Sequence, residues 1–293
     1  MKWERGHKSK YVEDVRGQRA AGRSAAVKVG GGGAIVLALV ALIAQALGVN
    51  LPVGGGGGGG GLSASGGGGA TGAPPPELTG ADKELYEFIN YAVDDIQDTF
   101  TKVFANEGLR YQPAVLKVFA DNVDTACGSA SSAVGPFYCP ADSNAYIDMT
   151  FYRDLRDRFG APGDFAQAYV LAHEYGHHIQ NLLGTDDEVR RQTARDKSRE
   201  NELSVRQELQ ADCYAGIWAH GTAKKNLIEA GDIEESIRAA QAIGDDRLQK
   251  MAGQRVNPET FTHGSSAQRA RWFKRGFEAG RLGACDTFAA ADL

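Results

Sequence analysis

Apolar residues recur at helical spacing in several separate parts of the chain. Over residues 85–104 they fall at positions i, i+3, i+4 and i+7, which predicts a long amphipathic helix. The same periodicity fills residues 163–184, where Asp164 stands near the start and Gly184 supplies a stop signal. Similar patterns predict further helices around residues 209–218, over residues 232–243 and from Ser265 onward.

After the first of these helices the pattern changes to short runs with high β-propensity. Residues 114–119, 135–139 and 145–149 are apolar or aromatic and are separated by Gly, Pro, Asp and Asn. Such runs predict a small, mostly antiparallel sheet. Together with the helices around it, the sheet predicts an α+β fold that is mainly helical.

The first 76 residues follow neither pattern. Residues 1–28 form a basic tail with eight basic and three acidic residues, residues 29–53 contain a long uncharged apolar run, and residues 54–76 are rich in Gly and Pro. About 20 apolar residues, rising about 1.5 Å each, cross a bilayer core. We therefore predict a transmembrane helix over 29–53, a disordered linker over 54–76 and a folded domain over 77–293. A cleaved signal peptide and a buried helix are the alternatives, but the long basic head and the Gly tract argue against them.

The charge distribution predicts the topology and excludes one class of partner. Basic segments stay on the cytoplasmic side of a membrane, which predicts a cytoplasmic N-terminus and a periplasmic or extracellular domain. The whole chain has 32 Lys and Arg against 37 Asp and Glu, a formal charge of −5. No basic footprint for nucleic acid is present, so the membrane and a substrate are the predicted partners.

The segment His173-Glu174-Tyr175-Gly176-His177 lies inside the second predicted helix. At 3.6 residues per turn the two histidines share one face, where their imidazoles can bind a single Zn²⁺. Glu174 is rotated aside toward the open position of the metal, where it can take a proton from an activated water. This H-E-x-x-H pattern is typical of zinc peptidases. The alternative is a solvated helix face or a hydrogen-bonded core cluster, and a third ligand decides between the two.

Glu208 and Asp212 are the candidates for the third ligand and its support. They stand four residues apart in a segment with helical periodicity, so they project from the same face. Glu208 could bind the metal while Asp212 accepts the second ring N–H of a ligating histidine. Two histidines and one carboxylate leave the fourth position to water, as a catalytic zinc site requires, whereas a structural site uses all four.

A helix with H-E-x-x-H followed by a helix with E-x-x-x-D resembles the gluzincin peptidases, of which thermolysin is the best-known member. More closely, residues 77–288 resemble the bacterial "putative neutral zinc metallopeptidase" family of single-pass membrane proteins. The motifs that carry this resemblance are Gly135-Pro136-Phe137-Tyr138-Cys139-Pro140, His173-Glu174-Tyr175-Gly176-His177-His178, Glu208-Leu209-Gln210-Ala211-Asp212 and Phe261-Thr262-His263-Gly264-Ser265. The resemblance implies a zincin-like domain, a Zn²⁺ cofactor and a peptide or protein substrate.

The resemblance also implies a role for each site residue. The implied zinc ligands are His173, His177 and Glu208. The implied general base is Glu174, and Asp212 is the implied hydrogen-bond partner of His173. In such peptidases an edge strand ahead of the zinc helix pairs with the substrate backbone, and residues 145–149 are the candidate here. Residues 185–201 alternate in charge sign, which predicts a solvated helix face or loop; a lid over the cleft is the alternative.

His263 is the predicted donor to the oxyanion of a tetrahedral intermediate. It precedes a capping box formed by Ser265 and Gln268, which holds it on a loop at a helix start. The alternative is a histidine that only packs locally. Tyr138 and Tyr214 are weaker candidates for the same donor. Residues predicted to be structural are His178, His220, Asp245 and Asp246.

Four cysteines occur, and a domain outside the cytoplasm permits disulfides. Sequence alone allows three pairings. Cys127 with Cys139 would close a short loop between β-prone runs, so we predict that pair. Cys213 with Cys285 then remains and would tie the C-terminal segment to the helix of Glu208.

The sequence therefore predicts a membrane-anchored zinc metallopeptidase with Glu174 as general base. A non-catalytic envelope scaffold stabilised by zinc is one alternative. A zinc amidase acting on a non-peptide bond of the cell wall is another. The residues do not distinguish the substrate.

Overall fold

The computed structural model describes residues 1–18 and 74–293. Each helix predicted from periodicity is present in this part of the chain, and the H-E-x-x-H motif lies on one of the longest. The helices are α1 (Gly80–Asn106), α2 (Phe151–Asp157), α3 (Asp164–Leu183), α4 (Thr185–Arg195), α5 (Glu200–Lys224), α6 (Asp232–Ala242), α7 (Asp245–Met251) and α8 (Ser266–Ala279). Gly184 ends α3 in the left-handed conformation, and the predicted capping box begins α8. The α+β class and its mainly helical content are confirmed.

The strands form one sheet of four and one hairpin. They are β1 (Val12–Asp14), β2 (Val115–Phe119), β3 (Asn122–Thr125), β4 (Gly128–Ser131), β5 (Phe137–Cys139) and β6 (Asn144–Asp148). The larger sheet has the order β1-β2-β6-β5, and only β5 and β6 are antiparallel. The predicted antiparallel sheet is therefore mixed, because β2 pairs in parallel on both of its sides.

The sheet order also corrects the predicted substrate strand. Residues 145–149 belong largely to β6, which lies between β2 and β5 and has no free edge in the described sheet. The outer strand next to α3 is β5, and its residues Phe137 and Tyr138 face the cavity described below. The prediction erred because strand order is a tertiary property that local β-propensity does not encode.

Residues 1–18, the N-terminal arm, pack against the rest of the domain, although the sequence predicted them to be part of a basic tail. β1 pairs in parallel with β2, in a register that sets Val12 opposite Leu116. Basic residues of this arm meet carboxylates of α1, with the imidazole of His7 2.6 Å from Asp94.

The predicted transmembrane segment 29–53 and residues 54–73 of the predicted linker lie outside the described residues. Among the helices of residues 1–18 and 74–293, none combines the length and the apolar character needed to cross a bilayer.

The zinc-motif helix α3 lies at the centre of the domain, against α5 on one side. Gly176 lies on α3 immediately before His177. A Cβ at this position would lie 2.8 Å from the carbonyl oxygen of Ala211. That contact is too close for a side chain. Glycine therefore permits the two helices to approach closely enough for α5 to bring its acidic residues to the histidines.

Helix α8 packs against the other face of α5. A Cβ at Gly276 would overlap the backbone of Cys213, so this glycine sets a second close approach. Both predicted disulfides are present, Cys127–Cys139 in the strand region and Cys213–Cys285 between α5 and the C-terminal segment. The second disulfide attaches the C-terminal segment to α5 at Cys213, the residue next to Asp212. This is the helix that carries the acidic residues of the site.

Candidate metal centre

His173, His177 and Glu208 converge at the contact of α3 with α5. The Nε2 atom of His173 lies 3.1 Å from Glu208 Oε2, and that of His177 lies 3.4 Å from Glu208 Oε1. One potential ligand atom from each of the three residues falls within 4.8 Å of the other two. The structure thus brings together the three side chains that the sequence predicted to meet.

The spacing of these atoms fits a small divalent cation. Four ligands at about 2.0–2.1 Å in a tetrahedron are roughly 3.3 Å from one another, close to the two nitrogen–oxygen distances measured here. Two imidazoles and one carboxylate are also a donor set that zinc takes in catalytic sites. The residues present therefore fit a zinc ion with one position left for a further ligand.

Asp212 supports His173, as predicted, and does so within a larger network. Its Oδ1 accepts from His173 Nδ1 at 2.9 Å and from the Tyr169 hydroxyl. Arg269 of α8 donates to both carboxylate oxygens, from Nε at 2.8 Å and Nη2 at 2.9 Å. Asp212 and Arg269 are both buried. Their pairing keeps the carboxylate ionised, which fixes His173 with its proton on Nδ1 and Nε2 turned to the metal centre.

The corresponding support for His177 comes from an amide that the sequence analysis missed. Gln180 is fully buried one turn further along α3, and its Oε1 lies 2.9 Å from His177 Nδ1. The Gln180 amide nitrogen donates to the backbone oxygen of Gln207 at 2.6 Å, which orients the side chain. The two histidines are thus held differently, one by a charged carboxylate and the other by a neutral amide.

Glu174 is a buried carboxylate that faces the centre without a hydrogen-bond partner among the described residues. It is 8% exposed and lines the same cavity as His173 and His177. Burial raises the pKa of Glu174, although the charges of His177 and His173 oppose the shift. A raised pKa makes this carboxylate a stronger proton acceptor than an exposed glutamate.

The pKa of His173 is also raised, whereas that of Glu208 is lowered. Burial lowers the pKa of His173, but the hydrogen bond and charge of Asp212 outweigh it and raise the pKa to about 9. Burial would raise the pKa of Glu208, yet the charge of His177 and the hydrogen bond from His173 hold it well below its usual range. Glu208 is therefore an anion at neutral pH, as a metal ligand must be.

The centre opens into a cavity of about 140 Å³ with mainly apolar walls. This volume resembles that of a cavity that holds one benzene-sized molecule, so it suits one side chain of a larger ligand. The apolar residues of the wall include Phe137, Phe151, Phe159, Val170, Val189 and Leu248. The charged residues of the wall include Asp186 and Arg190 of α4, so the segment predicted as a solvated face also borders the cleft.

His263 lies in the wall of this cavity and is held by Asp245. Its Nδ1 is 2.8 Å from Asp245 Oδ1. Asp245 Oδ2 accepts the backbone N–H groups of Thr262, His263 and Gly264 at 2.7–3.1 Å. Asp245 was predicted to be structural, and it begins helix α7. It also fixes the loop and ring of His263, a contact that was not predicted. The two residues are 18 positions apart in the chain, and no local sequence signal indicates this contact.

Hydrogen bonds to local partners hold Tyr138, His178 and His220. The Tyr138 hydroxyl donates to His178 Nδ1 at 3.0 Å, because His178 Nε2 donates to the Gln112 carbonyl oxygen at 2.6 Å. Tyr138 is thus occupied, and Tyr214 is not among the described residues that line the cavity. His220 donates to the Phe277 carbonyl oxygen at 2.7 Å. Of the candidates for the donor to the oxyanion, His263 therefore fits the predicted role best.

A second cluster of carboxylates also meets the distance limit for a metal site, at Asp164, Asp232 and Glu235. The amino group of Met1 lies 2.7 Å from Asp164 Oδ1 and 3.3 Å from Asp232 Oδ2. This cluster is therefore compensated by a positive charge of the protein itself.

Comparisons with known proteins give one family and several relatives. A family model described as "Putative neutral zinc metallopeptidase" matches residues 1–288. The chain is 41% identical over 293 residues to "Uncharacterized protein YpfJ" of Escherichia coli K12, covering 98% of this chain and 99% of that protein. It is 48% identical over 189 residues to "Uncharacterized protein Rv2575" of Mycobacterium tuberculosis H37Rv, covering 61% of this chain and 63% of that one. No solved structure matches.

Proposed function

This chain belongs to the neutral zinc metallopeptidase family, and from that premise we propose that it hydrolyses peptide bonds at the centre of His173, His177 and Glu208. The observation that carries the proposal is the environment of Glu174. Glu174 is a buried carboxylate without a hydrogen-bond partner among the described residues, and it adjoins a ligand set that leaves a position open. A structural zinc site would have neither feature.

The three ligands would hold Zn²⁺, and the surrounding side chains would do the proton chemistry. When bound, zinc acts as a Lewis acid that makes water more acidic and polarises a carbonyl group. Glu174 accepts the proton of the attacking water and later returns it to the leaving nitrogen, so that one carboxylate serves both halves of the reaction. Its raised pKa suits the first task, because a more basic carboxylate takes a proton from water more readily.

His263 would stabilise the negative charge that develops on the carbonyl oxygen. Asp245 accepts from its Nδ1, which leaves Nε2 for a ligand in the cavity. In its charged form the ring donates from both nitrogens, so Nε2–H can reach an oxyanion while Nδ1–H stays with Asp245. A fixed donor of this kind lowers the barrier because no reorganisation is needed as the charge forms.

The free edge of β5 would align the substrate. β5 is an outer strand of the four-stranded sheet, and Phe137 and Tyr138 on it border the cavity. An extended peptide can add to such an edge through backbone hydrogen bonds. An extended chain bound in this way would present one side chain to the apolar cavity and one carbonyl to the metal centre.

The direct test is hydrolysis by the full chain, with and without a chelator. A mixed peptide library and cell-wall fragments would be incubated with the purified protein and the products identified by mass spectrometry. We expect peptide cleavage that a chelator abolishes and added zinc restores. Cleavage of the cell-wall fragments alone would favour an amidase. Zinc binding without any cleavage would favour a scaffold.

Replacement of His263 by glutamine is expected to lower kcat by about 10²–10³-fold with little change in KM. The interaction with the oxyanion exists only in the transition state, so its loss should not weaken substrate binding. Steady-state kinetics with one cleaved peptide, together with zinc analysis of the variant, would check this. A rise in KM at unchanged kcat would assign His263 to substrate binding instead.

We also propose that the domain works outside the cytoplasm. Two disulfides, Cys127–Cys139 and Cys213–Cys285, support this, since such bonds persist in oxidising compartments. The apolar run in residues 29–53 supports attachment to a membrane. Pairing of β1 with β2 then limits the topology, because the arm and the domain share one side whenever the strand is in place.

A further inference from the structure

Asp186 is a buried carboxylate of the cavity wall that the reaction leaves unused. It is 6% exposed and lines the same cavity as His177 and Glu208. Its Oδ1 accepts from the Gln207 amide nitrogen at 2.6 Å. Within residues 1–18 and 74–293, no hydrogen bond reaches its Oδ2, and no Lys, Arg or His nitrogen lies within 4.0 Å of the carboxylate. Its only direct donor is thus a neutral amide.

A buried carboxylate with so little support is unfavourable unless a cation joins it. Burial raises the pKa of Asp186 to about 6, although the charges of His177 and Arg190 act against the shift. Asp186 is therefore ionised in most molecules of the protein at neutral pH. Arg190 could have neutralised it, but the Arg190 guanidinium bonds Asp187 instead. The described residues supply no direct counterion to Asp186, and a ligand in the cavity could.

The position of Asp186 in the first turn of α4 does not by itself explain the carboxylate. Asp187 and Glu188 occupy the same turn, where acidic residues favour the helix. They are exposed and pair with Arg190 and Arg191. A link to Gln207 alone would be served equally by an asparagine. Asp186 is the acidic residue of this turn that faces the cavity.

The rest of the wall selects among possible cations. The cavity is mainly apolar, with Phe137 and Val189 in its wall, and it has room for about one side chain. A compact inorganic ion would leave those apolar surfaces without a partner. Lysine and arginine combine an aliphatic stem with a charged head, so the stem can pack on the apolar wall while the head reaches the acid.

We propose that Asp186 sets the substrate specificity of this site by binding an ammonium or guanidinium group of the peptide. The group is either a lysine or arginine side chain or the free α-amino group of a short substrate. The inference rests on the proposed peptide hydrolysis at His173, His177 and Glu208. It adds that cationic peptides are preferred over neutral ones of the same shape.

The test compares matched peptides with the full-length protein and its Asp186→Asn variant. The peptides differ only in one residue, lysine or norleucine, and each is made with a free and an acetylated N-terminus. The wild type should prefer the cationic peptide. In Asp186→Asn this preference should fall by about 10- to 100-fold in kcat/KM, the range of a hydrogen bond to a charged group. If the preference that is lost is the one for lysine over norleucine, Asp186 binds the side chain. If it is the one for a free over an acetylated N-terminus, Asp186 binds the α-amino group.

Controls separate this inference from the proposed function. Glu188→Gln, a neighbour in the same turn whose carboxylate pairs with Arg191, should leave the preference unchanged. Equal activity of the wild type on lysine and norleucine peptides, irrespective of acetylation, would overturn the inference, as would a uniform loss on all peptides in Asp186→Asn. If no peptide is cleaved, the proposed function fails. Calorimetric binding of the same peptides to the zinc-loaded Glu174→Gln variant then still tests Asp186, because equal affinities would overturn its role.

Discussion

Replacement of Glu174 by glutamine is expected to remove nearly all turnover while zinc remains bound. Glutamine keeps the size of the side chain but cannot accept a proton, so the attacking water loses its base. Positioned acid–base groups contribute about 10²–10⁴-fold to rate, and kcat should fall by that factor. The zinc content should stay at the wild-type level, because Glu174 is not one of the three converging side chains. Single-turnover kinetics and metal analysis on the same sample would measure both.

Two outcomes would contradict this assignment. A Glu174→Gln variant that cleaves at the wild-type rate would show that another group takes the proton. A variant that loses its zinc would show that the carboxylate serves the metal and not the proton. The matched control is Glu202→Gln, an exposed residue of α5 that pairs with Arg199 and Arg206. That substitution should leave kcat and zinc content unchanged.

The part of the site that could be predicted from the sequence is the part encoded locally. His173 and His177 stand four residues apart on one helix, as do Glu208 and Asp212, and the helical period alone places each pair on a common face. Gly184 and the capping box of α8 mark helix ends through backbone chemistry that acts within a few residues. Such features depend little on the rest of the fold.

The parts that failed depend on distant pairing. β1 has three residues, and its partner β2 lies about a hundred residues further along the chain. The basic composition around it suggested a tail, since charge and length were the only signals available there. The β-propensity of β6 was read correctly, but β6 was wrongly predicted to be an edge strand. Which neighbours a strand acquires is decided by packing of the whole sheet.

The supporting residues were missed for a related reason. Arg269 stands in a run of charged and aromatic residues, where its periodic position does not distinguish a buried guanidinium from its exposed neighbour Arg271. Gln180 had a usable signal, because a glutamine three residues after His177 lies on nearly the same face. Asp245 had none, since its partner His263 is on a loop.

Replacement of Arg269 by methionine is expected to destabilise the protein by about 3–5 kcal/mol, the cost of removing one partner of a buried ion pair. Methionine fills similar space but donates no hydrogen bond, so the buried Asp212 carboxylate keeps only His173 and Tyr169. The charge of Asp212 outweighs burial and holds the pKa of Arg269 above its ordinary range, so the guanidinium is charged at any working pH. Urea unfolding followed by circular dichroism would give the free energy of unfolding.

This loss must be separated from any loss of zinc, because Asp212 also supports His173. Unfolding should therefore be measured with chelator present for both wild type and variant. Arg271→Met is the matched control, since Arg271 is an exposed residue two positions further along α8 and its replacement should change stability by no more than about 0.5 kcal/mol. In the double variant with Asp212→Asn, the buried charge is gone, so stability should recover part of the loss. A single Arg269→Met variant as stable as the control would mean that Tyr169 and His173 suffice to hold Asp212, and that the guanidinium is not what stabilises this side of the centre.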